Sequence, residues 1–349
     1  MNRIKSLIDK LEHDLILTKD EFVEIIENHT PETDEYLFEK ARKIREQHYG
    51  KDVYIRGLVE FTNYCKNDCY YCGIRRSAKQ TERYRLTKEQ ILSCCEQGYA
   101  LGFRTFVMQG GEDGFYTDEK MVDIISAIRT KYPDCALTLS IGERPRESYQ
   151  KFYDAGANRF LLRHETADSC HYSKLHPKNL TLENRKKCLA DLKEIGFQTG
   201  CGFMVGSPYQ TTENLADDLI FIHDFKPHMV GIGPFIPHHD TPFANEKAGT
   251  LETTLLMLGL VRLILPNVLL PSTTALGTIH TSGREKGILA GCNVVMPNLS
   301  PLDVREKYLL YDNKISTGDE AAESVANLKK RMEAIGYQIV TARGDWKSE

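Results

Sequence analysis

Residues 61–73 read Phe61-Thr62-Asn63-Tyr64-Cys65-Lys66-Asn67-Asp68-Cys69-Tyr70-Tyr71-Cys72-Gly73, and the three cysteines decide how the rest is read. Their spacings are three and two residues, with a tyrosine immediately before the third. A four-iron, four-sulfur cubane takes one thiolate per iron, and this single loop supplies three. The fourth iron is then open to a ligand that is not protein. Structural zinc prefers four ligands, commonly from two paired motifs. Here His48 lies upstream, but no second Cys-x-x-Cys and no histidine at finger spacing follows. The seven other cysteines (94, 95, 135, 170, 188, 201 and 292) are scattered and read as buried small hydrophobes.

Around this loop apolar runs alternate with helical periodicity. The run that precedes it, 53–61, is the first expected strand. Others follow at 105–109, 136–140, 159–164, 198–204, 229–234, 268–270 and 293–296. Helical patterns separate them at about 87–101, 117–132, 145–155, 182–196, 211–225, 251–265 and 283–290. Eight strands with intervening helices predict an α/β fold of the (β/α)8 TIM-barrel type. Residues 1–50 read as an N-terminal helical extension, with Thr18 and Glu21 at capping-box spacing. Residues 51–312 form the expected barrel. Residues 313–349 supply a C-terminal helix (320–335) and a short strand (337–341) packed on it. A doubly wound open sheet is the competing architecture, but the glycine-rich turn it needs after the first strand is replaced by cysteines.

Composition narrows the function classes. A hydrophobic content of 41% over 349 residues supports a large core. The formal charge of −4 (45 basic against 49 acidic residues), with no strongly basic segment, argues against a nucleic-acid partner. No apolar run reaches the ~18 residues that span a bilayer. The start MNRIKSLIDKLEHDL has no signal-peptide core, so the sequence predicts a cytoplasmic protein in a reducing compartment, where thiols persist.

In a barrel the chemistry sits at the C-terminal strand ends. Those ends here carry Gln109-Gly110-Gly111-Glu112, Ser140, Arg163-His164-Glu165, Gly200-Cys201-Gly202, Gly233-Pro234, Thr273-Thr274 and Pro297-Asn298. Glycines at Gly110 and Gly111 let backbone approach a ligand closely. A carboxylate at Glu165 can accept from hydroxyls or ammonium, and Arg185 can fork onto a carboxylate. Rim salt bridges, a turn-capping serine and strand-filling threonines are the plain alternatives. His238-His239-Asp240 suggests a metal superficially, but adjacent histidines on a loop usually diverge.

The cysteine spacing resembles the signature of the radical S-adenosylmethionine (SAM) superfamily, in which the amino and carboxylate groups of SAM occupy the open iron. That resemblance implies a [4Fe-4S] cluster on Cys65, Cys69 and Cys72. It also implies SAM contacts from Gln109, Gly110, Gly111, Glu112, Ser140, Glu165 and Arg185. Longer stretches resemble the HydE family of [FeFe]-hydrogenase maturation proteins, related to biotin synthase and methylornithine synthase: RYRLTKEQI (83–91), LLRHETA (161–167), VGIGPFIPHHDTPFANEK (230–247), LPSTTALGTI (270–279) and GCNVVMPN (291–298).

The family resemblance implies a reaction that residue types alone do not give. The substrate would be a small organometallic precursor, a cysteine-bound iron carrying CO and cyanide, whose sulfur is attacked by the deoxyadenosyl radical. It would lie beyond SAM near Arg56, Met229, Thr273, Thr274 and Tyr308. Expected partners are other maturation proteins (HydG, HydF) and an electron donor such as ferredoxin or flavodoxin. Some family members hold a second cluster on C-terminal cysteines; no cysteine follows Cys292 here, so that cluster cannot form from these residues. The alternative is an amino-acid mutase or sulfur-inserting enzyme of methylornithine-synthase or biotin-synthase type. A cluster carrier or zinc-stabilised binding module is the reading from another class.

Overall fold

The computed structural model describes residues 3–315 and 321–348. Three helices come first: α1 (Arg3–Asp14), α2 (Lys19–Asn28) and α3 (Pro31–Tyr49). Thr18 and Glu21 form the expected capping box, each side chain accepting from the other's backbone N–H. Ile4, Leu7, Ile8 and Leu11 of α1 bury one helical stripe, and each such side chain contributes about 1.5–3 kcal/mol by leaving water.

The alternating region follows as β1 (Asp52–Ile55), β2 (Gly57–Thr62), α4 (Lys88–Ala100), β3 (Thr105–Gly110), α5 (Asp118–Lys131), β4 (Ala136–Ser140) and α6 (Arg146–Asp154). It continues with β5 (Arg159–Leu161), α7 (Ser169–Leu175), α8 (Leu182–Ile195), β6 (Gln198–Cys201), β7 (Met204–Val205), α9 (Thr212–Phe225), β8 (Met229–Val230) and β9 (Gly233–Pro234). The last elements are α10 (Leu251–Ile264), α11 (Thr274–Ile279), α12 (Gly283–Leu289), β10 (Val294–Val295), α13 (Leu302–Arg305), α14 (Ala321–Ala334) and β11 (Gln338–Val340). The N-terminal helices pack on this body, α2 against α9 and α3 against α10.

The fold is α/β with parallel sheets. One sheet runs β2-β3-β4-β5-β6-β8 with all neighbours parallel, and a second runs β10-β1-β11. The strand order climbs without reversing, unlike a doubly wound sheet. Isolated parallel bridges carry the pairing from Met229 to Leu269 and from Pro271 to Val294. The segment 268–270, expected as a strand, is therefore present only as these bridges and their hydrogen bonds.

Three expected strands are each broken in two. At Arg56 the strand exchanges neighbours: β1 pairs with β10 and β11, β2 with β3. Between β6 and β7 the backbones of Gly202 and Gly231 approach so closely that a Cβ at Gly202 would lie 2.0 Å from the Gly231 carbonyl oxygen. Such an approach interrupts regular pairing and admits only glycine. The C-terminal helix begins at Ala321; residue 320, its expected start, lies outside the described residues.

The tail closes the N-terminal ends of the strands. The buried Arg159 donates to the carbonyls of Arg343 and Gly344 and to Asp345 Oδ1 at 3.0, 3.1 and 2.7 Å. Trp346 packs edge-on against His228, ring centroids 4.8 Å apart. With that end filled, the C-terminal strand ends remain for a ligand.

Candidate active site

A cavity of about 340 Å³ opens at those ends. Cys65, Cys69, Cys72, Gln109, Gly110, Gly111, Glu112, Ser140, Glu165, Arg185, Thr273, Thr274 and Tyr308 all line it. Arg56 and Met229 do not. Arg56 is buried, and its Nη1 lies 3.1 Å from Met229 Sδ with Nε and Nη2 unpartnered.

The cysteine loop is held from several sides. Asn63 donates to the carbonyls of Glu82 and Lys307 at 2.8 and 2.6 Å, and its own Oδ1 accepts from the Tyr84 N–H at 2.8 Å. Arg83 gathers the carbonyls of Asn63, Ile74 and Arg75. Lys66 N–H donates to the Glu112 carbonyl at 2.9 Å. Gly111 follows from that contact: a Cβ there would lie 2.2 Å from the Tyr64 carbonyl oxygen and 2.7 Å from Cys65 Cβ.

The three thiols are free and share the cavity with no fourth. Cys170 is exposed and the other six cysteines, Cys135 and Cys201 among them, are buried away from the lining. Burial pushes all three site thiols up; for Cys72 it acts with the neighbouring Cys65 and takes the thiol to about 12. Neutral water alone leaves such thiols protonated, so a bound cation is needed to make them thiolates. Three thiols converging on a roomy cavity, without a fourth, fit a [4Fe-4S] cluster with one open iron.

The polar wall is built around Glu143. Its Oε1 lies 2.5 Å from Arg185 Nε, its Oε2 accepts from Asn184 at 2.6 Å, and its N–H donates to Glu112 Oε1 at 2.8 Å. Arg185 Nη1 also donates to the Arg163 carbonyl at 2.7 Å. Burial opposes the Arg185 charge, but Tyr172, Glu143 and Tyr71 more than offset it and hold its pKa high. Glu165 is a non-glycine residue at φ 67°, with its Oε2 3.1 Å from Arg163 Nη2 and no hydrogen bond made to that oxygen. Left-handed backbone at such a residue costs about 1–3 kcal/mol and concentrates at ligand sites. His164, between them, turns away from the cavity and donates from Nε2 to Asp218 at 3.1 Å, while its Nδ1 accepts from Gly202 N–H. Burial holds this imidazole neutral.

Several site residues were not legible in the sequence. Glu60, fully buried in β2, pairs with Lys314 Nζ at 2.5 Å, and Asn298 donates to its other oxygen at 2.8 Å. Both charges line the cavity beside Tyr308. The signal was an acid inside the otherwise apolar Gly57–Thr62 strand. Tyr71 donates to His176 Nε2 at 3.1 Å while His176 Nδ1–H donates to the Tyr172 carbonyl at 3.0 Å. Burial depresses His176 to about 3, which keeps it the neutral acceptor.

The histidine pair does not diverge as expected. His238 and His239 stack with centroids 4.4 Å apart, and Asp312 joins them, 2.8 Å from His239 Nδ1 and 3.8 Å from His238 Nε2. His238 Nδ1 accepts from the Asp240 N–H at 3.1 Å, so Nε2 carries the proton and offers a metal no lone pair.

The chain matches the radical SAM superfamily model over residues 59–222. It is 46% identical over 304 residues to the [FeFe] hydrogenase maturase subunit HydE of Thermotoga maritima, covering 86% of each chain. It is 27% identical over 324 residues to 3-methylornithine synthase of Methanosarcina acetivorans, covering 92% of this chain and 90% of that one. The crystal structure of methylornithine synthase (PylB) superposes with a TM-score of 0.85 at 26% identity, over 96% of this chain and 97% of the other. HydG from Carboxydothermus hydrogenoformans shares the fold, with a TM-score of 0.78 at 21% identity over 96% of this chain and 79% of that one. The chain belongs to the HydE family of [FeFe]-hydrogenase maturases, within the radical SAM superfamily.

Proposed function

We propose that this protein holds a [4Fe-4S] cluster on Cys65, Cys69 and Cys72, binds SAM over it, and acts on an iron-bound cysteine precursor of the [FeFe]-hydrogenase diiron site. The observation that carries this reading is the convergence of three free thiols on one cavity with the Gly110–Glu112 turn, Glu165 and Arg185. When bound, the cluster supplies the electron that cleaves SAM to methionine and a 5′-deoxyadenosyl radical.

The chain's own groups bind and orient. Gly110 and Gly111 offer backbone to the methionyl amino group. Arg185, fixed by Glu143, donates to the carboxylate. Glu165 and Ser140 take ribose hydroxyls. Leu58, Leu161, Leu162, Phe235 and Ile236 supply apolar wall that excludes water. Thr273, whose Oγ1 is buried without a partner, faces the substrate with Thr274 and Tyr308, and Arg56 and Met229, paired with each other outside the cavity lining, would act only from behind it. We read 51–312 as a (β/α)8 barrel whose seventh strand is the bridged segment 268–271. Residues 1–50 are its helical extension, and 313–349 its C-terminal helix and tail. HydG, HydF and a ferredoxin or flavodoxin are the proposed partners. Among the described residues no helix is long and apolar enough to cross a membrane.

Likeness to 3-methylornithine synthase supports the mutase alternative. Anaerobic incubation with SAM, reductant and the iron–cysteine precursor, read by mass spectrometry, separates the two. Maturase chemistry yields deoxyadenosine joined to the substrate sulfur. Free 5′-deoxyadenosine carrying deuterium from a carbon-labelled amino acid, without that adduct, overturns it.

A further inference from the structure

Five non-glycine residues among those described have positive φ, and Glu165, at 67°, is the buried one; Leu15, Tyr209, Lys226 and Asn313 stand on half-exposed or exposed turns. Glu165 is also the one that lines the cavity. A side chain on left-handed backbone persists where its surroundings over-determine it. Two backbone bonds hold Glu165 itself: its N–H donates to the Gly202 carbonyl at 3.0 Å, and its carbonyl accepts from Met204 N–H at 3.3 Å. The rest of the hold comes from outside the cavity.

His164 and Asp218 supply it. His164 Nδ1 accepts from Gly202 N–H at 3.3 Å, so His164 and Glu165 between them grip both backbone groups of that glycine. The other ring nitrogen donates to Asp218 Oδ1 at 3.1 Å, and the same oxygen accepts from Ala167 N–H at 2.6 Å. One carboxyl oxygen on α9 thus ties down the residue before Glu165 and the residue two after it. The bond to Asp218 also fixes the tautomer that leaves Nδ1 free to accept. Phe221 and Phe203 flank the ring, with centroids 4.6 and 5.9 Å away, and both polar side chains are 0% exposed. Asp218 Oδ2 has no hydrogen-bond partner. Apolar side chains would fasten α9 to the barrel without this desolvation cost. What the pair adds over apolar packing is the fixed backbone between its contacts.

We propose that His164 and Asp218 are positioning residues for SAM, holding Glu165 in the left-handed turn that presents its carboxylate to the ribose hydroxyls. The proposal rests on the radical SAM reading above. Neither residue touches SAM; each acts through Glu165. Burial pushes the Asp218 carboxyl up and the His164 imidazole down, so the pair is held neutral. An amide oxygen in place of the Asp218 carboxyl oxygen therefore serves as well.

The test is SAM affinity, by anaerobic titration of the reconstituted protein, in a cycle with Glu165→Ala. His164→Gln keeps a donor for Asp218 and removes the acceptor for Gly202. The expected result is a Kd raised about tenfold with iron content unchanged. In dithionite-driven cleavage the KM for SAM should rise likewise while kcat holds. In the Glu165→Ala background the same substitution should cost nothing further. Asp218→Asn, which keeps the accepting oxygen, should bind SAM as the wild type does. The double variant His164→Phe/Asp218→Leu replaces both partners by apolar groups, which spares the fold, and should lose as much affinity as His164→Gln. Wild-type affinity in His164→Gln or in the double variant overturns the proposal. So do losses that add to that of Glu165→Ala, and so does loss of iron along with affinity, which makes the pair a support of the barrel alone. If Glu165→Ala itself binds SAM normally, the ribose contact falls and this role with it, while the cluster reading stands. Wild-type protein that binds no SAM brings down the functional reading as well.

Discussion

Glu143 clamps Arg185: its carboxylate lies 2.5 Å from Arg185 Nε while its own N–H bonds Glu112 Oε1 at 2.8 Å, so one residue ties the arginine to the Gly-Gly-Glu turn. Replacing it with alanine frees the cation that the proposed function aims at the SAM carboxylate. A charge-assisted hydrogen bond is worth about 1.5–3 kcal/mol, or about ten- to a hundredfold in affinity. Glu143→Ala should weaken SAM binding by that factor with iron content intact, read by anaerobic titration. Glu143→Gln should recover part of it.

Gly111 tests the fit between the turn and the loop. Because an added Cβ would meet Tyr64 and Cys65 at 2.2 and 2.7 Å, Gly111→Ala should push the first thiol out of place. The expected outcome is a folded protein by circular dichroism with a lower iron content after reconstitution. Full iron loading would show that the loop gives way at little cost.

The cysteine loop and the Gly-Gly-Glu turn were legible because each is a local pattern. What escaped depends on distant partners. Lys314 is 254 residues from Glu60, and nothing in either neighbourhood reveals the pair. Only the oddity of an acid in a buried strand pointed at Glu60. Tyr71 finds His176 in the same way, across 105 residues. The strands at 198–204 and 229–234 were drawn too long because apolar runs do not register a pinch such as that at Gly202 and Gly231. The grip of Asn63 and Arg83 on the loop's carbonyls was equally invisible.

The Glu60–Lys314 pair gives a stability prediction. Both side chains are almost fully buried, so Lys314→Met leaves an unpaired charge and should cost about 3–5 kcal/mol. The double variant Glu60→Gln/Lys314→Met should regain most of that in a denaturant double-mutant cycle. Additive losses would deny the coupling.

His176 predicts a pH dependence. Its folded pKa is lowered from 6.5 to about 3, chiefly by burial, so the unfolded chain binds the proton more readily between those values. Stability is therefore lost as pH falls from 6.5 toward 3, by about 1.4 kcal/mol per pH unit for one proton. His164 adds in the same sense. Urea unfolding between about pH 5 and 6.5, above the ordinary carboxylate range, should show this slope. His176→Gln should reduce it by about one proton, and an identical slope in the variant would remove His176 from the account.

The ligand set is tested by single substitutions. Cys65→Ala, Cys69→Ala or Cys72→Ala should each lose the cluster or SAM cleavage. Cys188→Ala should keep both, since that thiol is buried on α8 away from the cavity.

The most direct measurement of the central claim is the hyperfine spectrum of the reduced, reconstituted protein with SAM labelled at its amino nitrogen and carboxylate oxygen. A four-iron cluster held by three cysteines predicts strong coupling of both labels to one iron. A protein that carries four irons and shows no coupling from either label would contradict it.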